Sequence, residues 1–234
     1  VMVGNNLSQL GVNAGELDDK LNTYSGSIWW MPTTGEFGPA AGYGDFEHHD
    51  ELATLFGLNF TFSGEDRQSQ PGTEDIQNTQ LRLSDGTVLF TPRAFDTDGR
   101  VNKADYYMAS FDAGMKYSGF ALEGEYYTRW LNNFDDEGDI PEDSLFDHGF
   151  QVQVSNMFMP KQLQGYVAGS YIFGEYGNPW DVALGVNYYP LRQRLLRWNT
   201  EILYLNDSPV GYSSVPFAVG GDGPVFHTNL ELYF

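Results

Sequence analysis

The chain has no cysteine, few basic residues and no long apolar run, and each absence removes a class of answers. Without Cys there is neither a disulfide framework nor a thiolate metal site. Only 12 Lys and Arg stand against 32 Asp and Glu, giving a formal charge of −20. Nucleic-acid binding needs a basic surface to neutralise phosphates, so that class falls away. No stretch approaches the ~18 consecutive apolar residues that a membrane-spanning helix needs. There is no internal repeat and no low-complexity tract, and the Gly-Pro-rich stretch 35–44 reads as a turn, not a linker. The expected organisation is therefore one domain over 1–234. No signal-peptide pattern opens the chain. Val1-Met2-Val3-Gly4-Asn5-Asn6 reads as the end of a strand entering a loop, and a fragment lacking N-terminal strands is expected.

What is abundant points to strands. Aromatics make up 16% of residues and Gly contributes 27, a mixture suited to strands and turns. Nine segments alternate at period two, each close to the roughly 9–11 residues that a tilted strand uses to cross a bilayer. They lie near 22–31, 50–63, 105–117, 120–130, 149–158, 164–173, 180–188, 194–205 and 226–234. In the seventh, Trp180, Val182, Leu184, Val186 and Tyr188 oppose Asp181, Ala183, Gly185 and Asn187. The sixth is ambiguous, since Val167, Tyr171 and Phe173 compete with Tyr166, Ala168 and Ile172 for the apolar face. In the last, Phe226, Thr228, Leu230, Leu232 and Phe234 share one face. An aromatic final residue suits a strand that finishes at a lipid–water boundary, and such an ending resembles the signal that outer-membrane proteins present to their assembly machinery.

Two features separate this pattern from a soluble β-sandwich. Charges sit in mid-strand on the polar faces, at Asp112, Lys116, Glu123, Glu125, Arg129, Arg197 and Glu201. Apolar-face aromatics gather near strand ends, with Trp30, Trp198 and Phe234 at one level and Trp130 and Trp180 at the other, as in the two girdles of a lipid-facing band. A mean hydropathy of −0.39 does not conflict, because only alternate residues of a barrel touch lipid. With Phe234 on the periplasmic side, the turns are 32–49, 118–119, 159–163 and 190–193. The external loops are 6–21, 64–104, 132–148, 174–178 and 206–224.

Lys103-Ala104-Asp105-Tyr106-Tyr107 leads into Asp112-Ala113-Gly114-Met115-Lys116-Tyr117, the tight turn Ser118-Gly119, and Phe120-Ala121-Leu122-Glu123-Gly124-Glu125-Tyr126-Tyr127. This run resembles the phosphate-selective porin O and P family, and the likeness extends loosely over the whole chain. The resemblance implies an all-β, transmembrane antiparallel β-barrel of about 16 strands, of which this chain supplies nine and a stub. It further implies a homotrimeric porin of a Gram-negative outer membrane, in contact with lipid and lipopolysaccharide. In that family a loop in the position of 64–104 narrows the lumen, which makes Arg82, Arg93, Arg100 and Lys103 the constriction candidates.

The expected pore-lining residues are Asp112, Lys116, Glu123, Glu125, Arg129, Gln151, Gln153, Arg197 and Glu201. A phosphate path needs a ladder of Arg and Lys. These walls are richer in acid, so the residues favour a general or mildly cation-leaning diffusion pore and depart from the family name. A structural barrel with a plugged lumen is the rival. An outer-membrane hydrolase is a weaker one: no G-x-S-x-G occurs, and His48, His49, His148 and His227 make neither a triad nor a metal site. The acidic run 135–143 lacks the ordered spacing of a calcium loop and reads as solvated, with divalent ions bridging it to lipopolysaccharide as the alternative. No catalytic residue, cofactor or resident metal is expected.

Overall fold

The computed structural model describes residues 1–4, 7, 21–38, 43–67, 78–79, 81–208 and 218–233. Ten strands form one antiparallel sheet in chain order, each pairing with its neighbours in sequence. They are β1 (Met2–Gly4), β2 (Thr23–Trp30), β3 (Ala53–Asp66), β4 (Arg100–Tyr117), β5 (Phe120–Glu137), β6 (Leu145–Met159), β7 (Leu163–Phe173), β8 (Trp180–Tyr188), β9 (Leu196–Ser208) and β10 (Gly221–Leu232). All nine expected strands form, and the stub is β1, paired through Met2 with Ser25 of β2. β1 and β10 are not paired with each other, so the sheet is open. Phe234 lies outside the described residues.

Period-two alternation, held in register across every strand pair, gives the sheet two unlike faces. Ile28, Leu58, Phe111, Tyr126, Phe150, Tyr171 and Trp180 stand side by side in one cross-strand row. Met115, Leu122, Val154, Val167, Leu184, Ile202 and Phe226 form another. Register settles the sixth expected strand: Val167 lies between Val154 and Leu184, which puts Val167, Tyr171 and Phe173 on the apolar face. Over 54–62, 107–117, 120–130, 146–158, 165–173, 180–188, 196–204 and 224–232 this face carries no Asp, Glu, Lys or Arg. Yet it is exposed, with Ile28 at 74%, Leu184 at 62% and Leu230 at 69%. Among the described residues no second layer covers it.

The buried apolar side chains gather instead in two small clusters at opposite ends of the other face. One joins Leu81, Leu83, Leu89, Phe90 and Phe95 to Val101, Ala104, Leu131 and Leu145. The second is Phe46, Met157 and Tyr189, with Tyr43 against it.

Several strands run further than their alternation suggests. β4 begins at Arg100, β5 continues to Glu137 and β6 begins at Leu145, so the connection expected at 132–148 contracts to 138–144. Arg100 and Lys103 therefore lie in β4 and Asp135, Asp136 and Glu137 in β5, where loops were expected. The connection expected at 206–224 contracts in the same way, since β9 reaches Ser208 and β10 starts at Gly221. At the ends of β4, β5 and β6, Val101, Ala104, Leu131 and Leu145 still bury inward, but the register shifts between Val101 and Asp105 and 135–137 are exposed, so the two-residue period breaks off while the ladder goes on. An 18-residue strand such as β4 spans roughly 60 Å at about 3.3 Å per residue, well beyond a hydrocarbon layer of about 30 Å.

Close approach within the ladder gives a stability test. A Cβ on Gly149 would lie 2.6 Å from both the Tyr127 hydroxyl and the Tyr171 carbonyl oxygen, whereas one on Gly26 would meet nothing within 4 Å. Gly149 is held by pairs on both sides and cannot retreat. Gly149→Ala is expected to destabilise the sheet by about 1–3 kcal/mol, read as a lower urea midpoint. Gly26→Ala is expected to leave the midpoint unchanged.

Candidate functional site

Register assembles the polar face in rows. Gly57, Asp112, Glu125, Gln151, Ser170 and Asp181 are successive cross-strand partners from β3 to β8. The adjoining row carries Gly114, Glu123, Gln153, Ala168 and Ala183. The next runs from Lys116 through Ser155 and Tyr166 to Glu201 and His227. A cleft of about 600 Å³ lies on this face, lined by Trp29, Phe37, Asp112, Glu123, Glu125 and Asp181 among others. Because β2 and β8 contribute to the same cleft, the polar face is the concave one. Among the described residues no Lys or Arg lines the cleft.

The three inner-face bases are each committed to a carboxylate. Lys116 Nζ lies 3.6 Å from Glu123, and Arg197 reaches Glu231 at 2.5 Å. Arg129 pairs with Asp147, its Nε donating at 3.1 Å. The remaining carboxylates have neutral donors. Asn59 Nδ2 donates to Asp112 at 2.5 Å, Gln151 Nε2 to Glu125 at 2.8 Å, and the Ser170 hydroxyl to Asp181. Tyr166 donates to Glu201 at 2.6 Å, with His227 Nδ1 3.3 Å from the same carboxylate. Asp112 and Glu125 stand directly opposite each other in the ladder. Like charges so placed are destabilising.

All nine expected lining residues thus lie on one face, but only Asp112, Glu123, Glu125, Gln151 and Gln153 line the cleft itself. Arg129 lies toward the end that carries the long connections, and Arg197 and Glu201 lie toward the end with the tight turns. Sequence reasoning did not single out Asp147, Asp181 and Glu231. Their positions at 147, 181 and 231 share the parity of the polar positions in their strands, so alternation carried the signal.

Two connections fold over the polar face. At the long-connection end, 81–95 packs on Leu131 and Leu145. Arg129 Nη1 donates to the Arg82 carbonyl at 2.8 Å, and the Ser84 hydroxyl accepts from the Tyr176 amide at 2.9 Å. Asp147 also accepts from the Glu175 amide at 3.2 Å, so one ion pair ties two strands to two loops. Of the four constriction candidates, Arg82 and Arg93 fall within this segment, and only Arg82 is half-buried, its guanidinium donating to the Gly86 carbonyl. Arg93 is exposed, Arg100 bridges Glu137 at 2.9 Å, and Lys103 is exposed opposite Asp66 and Asp135.

The other connection was expected only as a turn. The Asp45 carboxylate, fully buried, accepts from the Gly119 amide at 2.7 Å and lies 2.5 Å from His49 Nδ1. Gly44, at φ 50°, rests on Ser155 and Gln164, where any Cβ would collide with both side chains. Phe46 packs edge-on against Tyr189, and Arg197 lies over the Tyr43 ring at 4.7 Å. Burial pushes the Tyr189 hydroxyl up to about 12, so this anchor stays neutral at ordinary pH. The signal available in sequence was three aromatics, Phe37, Tyr43 and Phe46, in a Gly-rich turn. Rings of that size need somewhere to bury.

The four described girdle residues, Trp30, Trp130, Trp180 and Trp198, lie on the apolar face. Trp130 packs on Phe146 at 5.0 Å, Trp180 stacks on Tyr204 at 5.7 Å and Trp30 lies 5.9 Å from Phe56. Trp198 Nε1 donates to the Thr228 hydroxyl at 2.8 Å. His148 stacks on Phe173, away from the cleft. Among the described residues no group of three His, Asp or Glu side chains is placed to hold a metal ion.

Arg129→Met is expected to free the 81–95 segment. Losing a charged hydrogen-bond network costs about 1–3 kcal/mol, and limited proteolysis should cut within 81–95 faster than in the parent. No protein-family model and no curated protein matches the chain.

Proposed function

We propose that the protein is an outer-membrane porin through which small hydrophilic solutes and ions, cations preferentially, diffuse passively. The observation that carries this reading is the exposed apolar face, free of charge over the strand centres, set against a concave charged face. In water an apolar surface of that extent is an aggregation or interaction face. Against lipid it is the ordinary exterior of a barrel, and the polar face becomes the lumen. A bilayer core offers no hydrogen bonds to unpaired strand edges, so the edges β1 and β10 must be paired for the sheet to span it.

The family that the sequence resembles transports phosphate. Here every inner-face base within the strands is matched to an acid, and the cleft presents Asp112, Glu125 and Asp181 in one row. Anions have no ladder to follow, whereas cations do. The proposal includes lipid and lipopolysaccharide around the apolar band, delivery by the barrel-assembly machinery through the C-terminal strand, and a homotrimeric assembly. One observation favours a second reading, a structural barrel with a closed lumen: both inward connections pack on the polar face.

Planar-bilayer recording under a salt gradient separates the two. Open channels with a cation-leaning reversal potential are expected. Joint replacement Asp112→Asn, Glu125→Gln and Asp181→Asn should abolish most of that preference while channels still open. Inserted protein that never conducts would replace the porin with the closed barrel, and an anion-leaning potential would reject the cation path.

A further inference from the structure

Lys116 lies on the polar face two rows from the carboxylate row, as Arg129 does on the other side, and it is hidden. Its side chain is 1% exposed, with Nζ 3.6 Å from Glu123 and 4.2 Å from the centroid of the Phe37 ring. Phe37 belongs to no strand. It comes from the connection between β2 and β3, is 3% exposed, and itself lines the cleft. It sits over Gly114, between Asp112 and Lys116 on the polar face, where a Cβ would come within 2.4 Å of the ring. The glycine leaves a socket and the ring fills it.

The local chain is built to hold the ring there. Thr33 Oγ1 accepts from the Thr54 amide at 3.0 Å, tying the connection to the start of β3. The Thr34 hydroxyl donates to the Glu36 carbonyl at 2.6 Å, which tightens the turn just before Phe37. Gly38 then takes φ 69°, the left-handed region that suits glycine, with Glu47 3.4 Å from the position of a Cβ. Beyond it, the Asp45 contacts to His49 and Gly119 anchor the same connection to the β4–β5 turn. An aromatic face over an ammonium is attractive, more so when the pair is desolvated, so the ring gains by staying.

We infer that Phe37 is the specificity-determining side chain of the proposed pore: it narrows the cleft and covers the Lys116 ammonium. A passing ion then meets Asp112, Glu125 and Asp181 and no exposed positive charge. The inference rests on the porin reading and names the ligand class of its cleft as small cations. The low-dielectric wall strengthens the effect, because uncovering one ammonium beside three carboxylates changes the local potential far more than the same change in open water.

The test is single-channel recording of Phe37→Ala and of Phe37→Ala combined with Lys116→Met. The single variant should raise conductance and lower the cation-to-anion permeability ratio by at least about twofold. The double variant should keep the raised conductance and recover a ratio at or above the parent value. Should Phe37→Ala fail to insert, Phe37→Leu carries the same test, with a smaller shift in both quantities. Unchanged conductance and ratio in either Phe37 variant would overturn the inference. So would a double variant whose ratio stays where Phe37→Ala left it. A silent parent protein would instead remove the porin reading on which the inference stands.

Discussion

A slip of one residue at any of the strand pairs would turn a row of carboxylates onto the apolar face and a row of Val, Leu and Phe into the cleft. Register is therefore the constraint on which the rest depends. It is held by backbone ladders such as the fourteen-residue β3 against β4, and it is reinforced from both sides. On the apolar face, cross-strand rings such as Phe62 and Tyr107, 4.9 Å apart, fit only one alignment. On the polar face, Arg129 with Asp147 and Arg197 with Glu231 do the same for β5–β6 and β9–β10. The price of a slip would be a charge facing whatever solvates the apolar surface, which is why one alignment dominates.

The molecule is inverted relative to a soluble domain. Its large aliphatic and aromatic surface faces outward, while ion pairs, amide contacts and hydroxyl contacts fill the concave side. Asn187, Asn199, Gln164 and Tyr166 form one hydrogen-bonded chain on that side: Asn199 donates to Asn187 and to Tyr166, and Asn187 donates to Gln164. Such chains keep buried polar groups paired. The two conventional apolar clusters are confined to the ends, where the inward connections need anchors. A fixed floor at the tight-turn end and a fixed cover at the opposite end bound the cleft that the carboxylate row crosses.

The strand centres were legible because one face selects apolar residues at every second position, from Leu58 in β3 to Leu230 in β10. The stub at Met2–Gly4 was legible as a strand end running into Asn5-Asn6. Strand ends were not, since register shifts between Val101 and Asp105 break the period and Asp135–Glu137 are all exposed. The sixth strand could not be assigned a face from its own residues, because Tyr166 and Ile172 are as bulky as Val167 and Phe173; pairing with Val154 and Leu184 decided it. Most of the lining set was visible as alternation, and so was the face of Asp147 and Glu231, but their pairing with Arg129 and Arg197 emerges only when neighbouring strands are aligned. The role of Phe37 was invisible in sequence, since its socket is Gly114, more than seventy residues away.

The central claim is that lipid solvates one face and water the other, and the absence of native cysteine permits a direct measurement. Single cysteines placed along β8 (Trp180–Tyr188), in protein reconstituted into vesicles, are probed with a water-borne thiol reagent. Fluorophores attached at the same positions are then challenged with a lipid-chain quencher. The account predicts strict alternation: quenching at 182, 184 and 186 and none at 181, 183 and 187, with aqueous labelling at 181, which lines the cleft. Aqueous labelling at consecutive positions, with no quenching at Leu184, would contradict it.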